Sequence, residues 1–394
     1  MPMASVTPQE VIREVGLESE WSRLRQRVMH WVGHSDPDLR PMLKQQFEGS
    51  SKYFRPLTVF ACHRAVSSEP VSERVLIAAQ AVEMFHNVTL IVDDLVDGSP
   101  TRRDKLTLHA KYGPLTAWMV AGYIDACAND LLASRMPDES ADLRGDDDET
   151  RARRRDGLFD GSDGRAAKDR ASASVLAPRR FDTRRDWEPI NLAGPVRFDL
   201  RLLSELKKRL AIAECVQWHN RKGGVLRPGK KRSMRMLGLA DWRYLAREDT
   251  GSMFEICACL GARSQRYRRF GRLLGMLYHG CDDVADVRAL KRLGGGGEED
   301  LEEGILTLPA ALAIQHSERI RALHAKPKRT PRELKTLRAA LVEQLPQAAQ
   351  ELDAIRRQVE VEAQRLGVRN AAQMHRLIDH VRQLAPADDG ERAA

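Results

Sequence analysis

The sequence predicts an all-α protein: a single helical bundle over residues 1–394, interrupted by a long insertion at 137–190. Three observations predict it. Apolar residues recur with the helical period of 3.6 through most of the chain. Strand-like stretches do not alternate with helical ones, which argues against a parallel α/β sheet. Two long apolar runs each end in the same acidic pattern, DDLVD at 93–97 and DDVAD at 282–286. That places carboxylates facing a common space at the ends of apolar helices. At 394 residues and 42% hydrophobic content the chain can bury a large core.

Taken in order, residues 7–48 open with Thr7 as a cap, Pro8 in the first turn and early acids, a helix start. Leu17, Trp21, Leu24, Val28 and Trp31 then recur at helical spacing and predict a packing helix pair. The stretch 82–103 organises the chain: Phe85, Val88, Leu90, Ile91, Val92, Leu95 and Val96 suit a long buried helix. Residues 115–135 predict another core helix. The segment 137–190 mixes acids and bases with few large apolar residues. It cannot bury enough surface to offset its ordering entropy, and a disordered insertion is expected. Helical periodicity returns at 200–224, followed by a basic loop, and again at 239–264 and before residue 282. The glycines 294–297 have no preceding strand and no following Gly-Lys-Ser/Thr, so they predict a connector rather than a phosphate loop. Residues 308–386 predict amphipathic helix and a polar tail.

The acidic repeats carry the chemistry. Residues at i and i+4 share a helix face, so Asp93 and Asp97 point the same way, as do Asp282 and Asp286. Facing carboxylates at the end of an apolar helix repel one another unless a hard cation intervenes, and magnesium prefers such oxygen ligands. Asp94 and Asp283 belong to the same acidic runs and are counted among the candidate metal ligands. Arg102 and Arg103 follow closely enough to meet the phosphate of a magnesium-bound ligand.

The sequence resembles the trans-isoprenyl diphosphate synthases, the polyprenyl synthetase family that includes farnesyl and geranylgeranyl diphosphate synthases. The resemblance is carried by SSKYFRP at 50–56, HNVTLIVDDLVDGSPTRR at 86–103, DTG at 249–251, HGCDDVAD at 279–286 and DLEEGILTLP at 300–309. It implies an isoprenoid-synthase-type bundle around a central cavity, usually dimeric, with the two motifs facing each other across three Mg2+ ions. By this resemblance Asp93, Asp97, Arg102, Thr250 and Asp282 are catalytic. Arg102, Thr250 and His279 lie on the allylic diphosphate side, and Lys52, Arg55, His86 and Arg103 hold isopentenyl diphosphate.

Several positions depart from the family pattern. Serines replace both glycines before Lys52, Asp104 follows Arg103 in place of a glycine, and Ala213-Glu214 stands for Gly-Gln. Asp249 occupies the place of a lysine that meets the allylic diphosphate, His279 that of a glutamine, and Ile305 that of another lysine. Lys291 or Arg292 could supply the missing cation.

Net charge is +8, but no basic run is interleaved with aromatics, so no nucleic-acid partner is expected. Six cysteines without a CxxC pair predict reduced thiols in a cytoplasmic protein. No signal-peptide pattern opens the chain and no transmembrane stretch is expected. The expected activity is Mg-dependent condensation of an allylic prenyl diphosphate with isopentenyl diphosphate by a homodimer. In the family it resembles, the residues four and five before the first aspartate often form the floor under the growing chain. Here they are the small Thr89 and Val88, with Phe85 about one turn deeper, which implies products of about fifteen to twenty carbons that stop near Phe85. The altered allylic positions keep two alternatives open: a terpene synthase or other prenyltransferase on this fold, or a weakly active regulatory subunit.

Overall fold

A computed structural model describes residues 8–48, 53–102, 105–134, 198–221, 224–226, 233–288, 297–368 and 370–385. These belong to one compact unit. The insertion expected at 137–190 lies outside the described residues, as do Thr7, Lys52, Arg103, Asp104, Lys291 and Arg292.

The described chain is helical apart from two short antiparallel hairpins, as the periodicity predicts. Helices α1 (Pro8–Val15), α2 (Glu18–Gly33) and α3 (Arg40–Phe47) replace the expected helix pair. They are followed by α4 (Phe54–Val66) and α5 (Glu73–Asp97). Strands β1 (Thr101–Arg102) and β2 (Lys105–Leu106) pair antiparallel before α6 (Leu108–Tyr112) and α7 (Pro114–Ser134). Beyond the insertion come α8 (Phe198–Arg221) and the hairpin of β3 (Val225–Leu226) with β4 (Ser233–Met234). Next are α9 (Leu239–Glu248), α10 (Thr250–Ala262) and α11 (Arg268–Val287). The single amphipathic stretch expected after 308 is instead a series of helices behind α12 (Gly297–Glu303). These are α13 (Leu308–His316), α14 (Glu318–His324), α15 (Pro331–Glu343), α16 (Leu345–Arg365) and α17 (Ala372–Gln383).

Helix α5 starts where Ser72 caps the Val75 N–H and stops at Gly98, whose positive φ of 67° turns the chain. By length and composition alone α5 is apolar enough to cross a membrane. However, 78% of its most apolar window is packed inside the bundle, as in a core helix. The other expected core helix, α7, buries Ala117, Val120, Ile124 and Leu132 but leaves Leu115, Trp118 and Met119 61–67% exposed.

Helix α10 is buried along its whole length, and α4 and α11 lie against it. Contact this close needs glycine. A Cβ at Gly261 would stand 2.0 Å from the Val59 carbonyl oxygen of α4. One at Gly275 would stand 2.7 Å from the Thr250 carbonyl oxygen and 2.8 Å from Gly251 Cα. The one charged side chain that α10 carries, Glu255, is fully buried and answered by arginines. Arg268 and Arg272 each approach within 2.7 Å, and Arg209 of α8 within 3.1 Å. Burial alone would raise its carboxyl pKa; hydrogen bonding to Arg272 and the charges of Arg209 and Arg272 outweigh that and lower it.

All six cysteines are free thiols, in line with the reduced state expected. Cys62, Cys257, Cys259 and Cys281 are buried, and burial pushes each thiol well above its usual range. Cys215 is exposed on α8.

Gly275→Ala should destabilise the fold by about 1–2 kcal/mol. Overpacking costs about 1–3 kcal/mol, and the helix-propensity gain of up to about 1 kcal/mol offsets only part of it. Urea denaturation measures the difference; an unchanged midpoint would show that α10 and α11 can separate freely.

Candidate active site

The acidic repeats occupy the ends of α5 and α11, and each repeat divides between two roles. On α5, Asp93 and Asp97 share one face while Asp94 points to another. Asp97 accepts a hydrogen bond from Arg221 Nη1 of α8 at 2.8 Å. The other Arg221 amino group bonds Glu303 at 2.8 Å. Asp94 is buried and accepts from Arg102 Nε at 2.7 Å. On α11, Asp282 and Asp286 are half-buried, whereas Asp283 is buried. Its Oδ2 accepts from Trp242 Nε1 and from the Leu308 backbone N–H, both at 2.7 Å, pinning α9 and α13 to α11. The middle aspartates, Asp94 and Asp283, thus tie the helix ends to Arg102, Trp242 and Leu308.

The break between α9 and α10 falls at Asp249, inside the stretch read as one helix at 239–264. Its ψ of −107° ends α9, and its side chain makes no cap bond. Instead Oδ2 lies 3.5 Å from Gln217 Nε2 and 3.7 Å from His279 Nδ1. Thr250 Oγ1 is 3.1 Å from the same His279 nitrogen. The structure thus brings together Asp249 and Thr250 of one motif with His279 of another.

Charge is unbalanced here. Asp93 is pushed up to about 7, first by burial and then by the charge of Asp249, with Arg102 opposing. Glu214 of α8 is also pushed up, by desolvation and by the charges of Asp249, Asp93 and Asp97. Its surface is open to solvent, which limits the desolvation part. Asp300 of α12 is raised to about 8, by burial and then by Asp286, Asp283 and Asp97. Asp300 therefore senses both acidic repeats. Arg221, Glu303, Asp300 and the facing of Glu214 were missed as site residues in the sequence reading. Asp300 sits in the quoted DLEEGILTLP, but Arg221 belongs to no motif.

The other face of α5 borders a second space. Arg55 Nη1 donates to His86 Nε2 at 3.0 Å, and its guanidinium lies 5.7 Å from the Phe254 ring centre and 5.9 Å from that of Tyr278. A small cleft of about 80 Å³ is lined here by Gln46, Glu83, His86, Asn87, Asp94 and Arg102. Arg102, expected on the allylic side, faces this cleft, although its charge also reaches Asp93.

Among the described residues no three His, Cys, Asp or Glu groups converge tightly enough to enclose an ion. The donors still fit magnesium, which is commonly held by one or two carboxylates with substrate phosphates and water completing the shell. Asp93 and Asp97 offer hard oxygens, and the raised pKa of Asp93 marks negative charge that a dication would relieve.

Residues 36–145 match the family model for polyprenyl synthetases, which bears out the resemblance read from the motifs. Solanesyl-diphosphate synthase 2 of rice is 25% identical over 76% of this chain and 60% of its own length. The geranylgeranyl diphosphate synthase of Saccharolobus solfataricus is 31% identical over 27% of this chain and 31% of its own. The chain thus spans less than two thirds of these curated relatives. Among solved structures, a Caulobacter crescentus polyprenyl synthase complexed with calcium and isoprenyl diphosphate covers 98% of this chain and 100% of its own, with a TM-score of 0.68 and 19% identity. Lactobacillus brevis geranylgeranyl pyrophosphate synthase covers 95% and 99%, at TM-score 0.67 and 19% identity. The fold is the all-α isoprenoid-synthase bundle.

Because Asp93 binds its proton more tightly in the folded protein than in the unfolded chain, the metal-free protein should lose stability as pH rises from about 4 to about 7. Divalent-ion affinity should rise over the upper part of that range as the carboxyl ionises. Asp249→Asn removes the strongest like charge, so it should flatten the stability slope and move the metal-binding midpoint to lower pH. Thermal melts and calorimetric metal titrations between pH 5 and 8.5 check both; an unmoved midpoint would separate Asp249 from Asp93.

Proposed function

We propose that this chain is a magnesium-dependent prenyltransferase that joins an allylic prenyl diphosphate to isopentenyl diphosphate, giving a longer prenyl diphosphate. The observation that carries the reading is electrostatic: Asp97, Asp286 and Asp283, drawn from both acidic repeats, act together on Asp300, so the ends of α5 and α11 lie near one another. Names of relatives such as solanesyl- and geranylgeranyl-diphosphate synthase support the same reaction class.

In this reading Asp93, Asp97, Asp282 and Asp286 hold the metal ions, three by family resemblance. Asp94 and Asp283 steady the helix ends through Arg102, Trp242 and Leu308. When bound, the ions stabilise negative charge developing on the departing diphosphate. Thr250 and His279 face that group, and Arg55 and His86 bind the isopentenyl diphosphate, with Lys52 and Arg103 completing its charge. The buried walls of α5 and α10 exclude water, so the allylic cation meets the isopentenyl double bond before it is quenched. Loss of a proton then restores a double bond.

The carboxylates of Asp249 and Glu214 beside Asp93 favour one second reading, a terpene synthase or other prenyltransferase whose allylic side has been rebuilt. The bundle is taken as a single domain that acts as a homodimer, which the exposed Leu115, Trp118 and Met119 of α7 support.

Incubation with magnesium, dimethylallyl or farnesyl diphosphate, and isopentenyl diphosphate tests the reading. Longer diphosphates support it, and hydrocarbons or alcohols formed without isopentenyl consumption support the second. No turnover at all defeats both. Asp93→Ala and Asp282→Ala should each lower turnover by about 10²-fold or more with the fold retained. Near-wild-type rates in both would remove the acidic repeats from the chemistry.

Product length should stop at Phe85. Its ring is almost fully buried, and Lys207 Nζ lies 5.2 Å from its centre, itself held by Asp125 at 2.5 Å and Asn129 at 2.9 Å. Phe85→Ala should lengthen the products, with this polar group setting the next stop. An unchanged chain-length distribution would take Phe85 off the floor.

A further inference from the structure

The resemblance left a missing cation on the allylic side, where Asp249 and Ile305 stand, and pointed to Lys291 or Arg292. Both lie outside the described residues. A third candidate, in no motif, stands at the mouth itself. Arg221 is the last residue of α8, and its side chain is only 11% exposed. Its fork spans Asp97, the last residue of α5, and Glu303, the last of α12, at 2.8 Å each. The guanidinium carbon lies 5.6 Å from the ring centre of Trp218, one turn earlier on α8. Its Nε is buried and makes no hydrogen bond.

This geometry has a cause. The C-terminal ends of α5 and α8 each carry partial negative charge, and Asp97 and Glu303 add full charges, so a cation is required at their junction. Here the protein supplies its own. Asp97 is also half of the facing Asp93/Asp97 pair that suits a divalent ion. Guanidinium and metal therefore compete for the same carboxylate. A guanidinium displaced from Asp97 keeps its planar fork, its backing by Trp218 and a free Nε, a donor set matched to phosphate oxygens.

We propose that Arg221 is an exchangeable counter-ion of the cavity mouth: it neutralises Asp97 before the ligand arrives, yields Asp97 to the divalent ion, and then binds the diphosphate. This deepens the diphosphate reading given above and rests on it. Arg221 would be a substrate-binding residue on the side where Asp249 and Glu214 repel an anion. The exchange also makes metal and diphosphate bind cooperatively, since the ion frees the residue that grips the phosphate.

Calorimetry on the full chain tests this without turnover, using magnesium alone and magnesium with inorganic pyrophosphate. Arg221→Ala should bind magnesium alone several-fold more tightly, because its competitor for Asp97 is gone. The same variant should bind magnesium pyrophosphate at least about tenfold more weakly, with Arg221→Lys recovering part of the loss. Glu303→Gln keeps the guanidinium but loosens it, so pyrophosphate affinity should be unchanged or higher. If Arg221 were only a strut between helices, both substitutions would lower the melting temperature and pyrophosphate affinity together. That result overturns the proposal, as does unchanged pyrophosphate binding by Arg221→Ala. Failure of the wild-type protein to bind magnesium pyrophosphate would instead bring down the diphosphate reading and the proposal with it.

Discussion

The architecture depends on enclosing α10 on every side. A helix without a solvent face has nowhere to place a charge, so the carboxylate of Glu255 is met by Arg268, Arg272 and Arg209. Removing one partner from such a buried pair costs about 3–5 kcal/mol, because the remaining charge stays in a poor solvent. The arginines come from α8 and α11, so the charge requirement of one residue sets the position of both neighbours. The close contact at Gly275 does the rest: it seats α11 against the start of α10 and leaves His279 beside Thr250. The acidic rim at these helix ends inherits its geometry from the packing beneath it.

That rim is electrostatically incomplete by construction. Asp93, Glu214 and Asp249 lie within reach of one another, Asp300 lies within reach of Asp97, Asp283 and Asp286, and the shifts on Asp93, Glu214 and Asp300 all run upward. A structure selected for stability alone would not gather them. Such crowding is tolerated where a ligand supplies the opposite charge, and the ion pairs to Arg102 and Arg221 act as partial substitutes in its absence.

What could be read from the sequence followed from local periodicity. The i, i+4 spacing of Asp93 with Asp97 and of Asp282 with Asp286 is a property of any helix, so the two facing pairs were legible before any fold was known. The fates of Asp94 and Asp283 were not, because each depends on a partner placed by the folded chain: Arg102 beyond the turn that ends α5, Trp242 on the neighbouring α9. The break at Asp249 was hidden because the apolar pattern of 239–264 continues through it. Arg221 was hidden more deeply, since its role exists only where the ends of α5, α8 and α12 meet. Hydrophobicity also misjudged α7: Leu115, Trp118 and Met119 fit a core pattern yet face outward.

The distribution of sulfur has a practical consequence. Cys62, Cys257, Cys259 and Cys281 are sealed in the bundle and Cys127 is half-buried, so none presents an accessible thiolate to an alkylating reagent. Cys215 is open on α8, directly after Glu214 and six residues before Arg221 in the chain. A maleimide dye or spin label would therefore attach to the native protein at one described position. It would report on the C-terminal part of α8, which carries Glu214 and Arg221, with no engineered cysteine and no removal of the others.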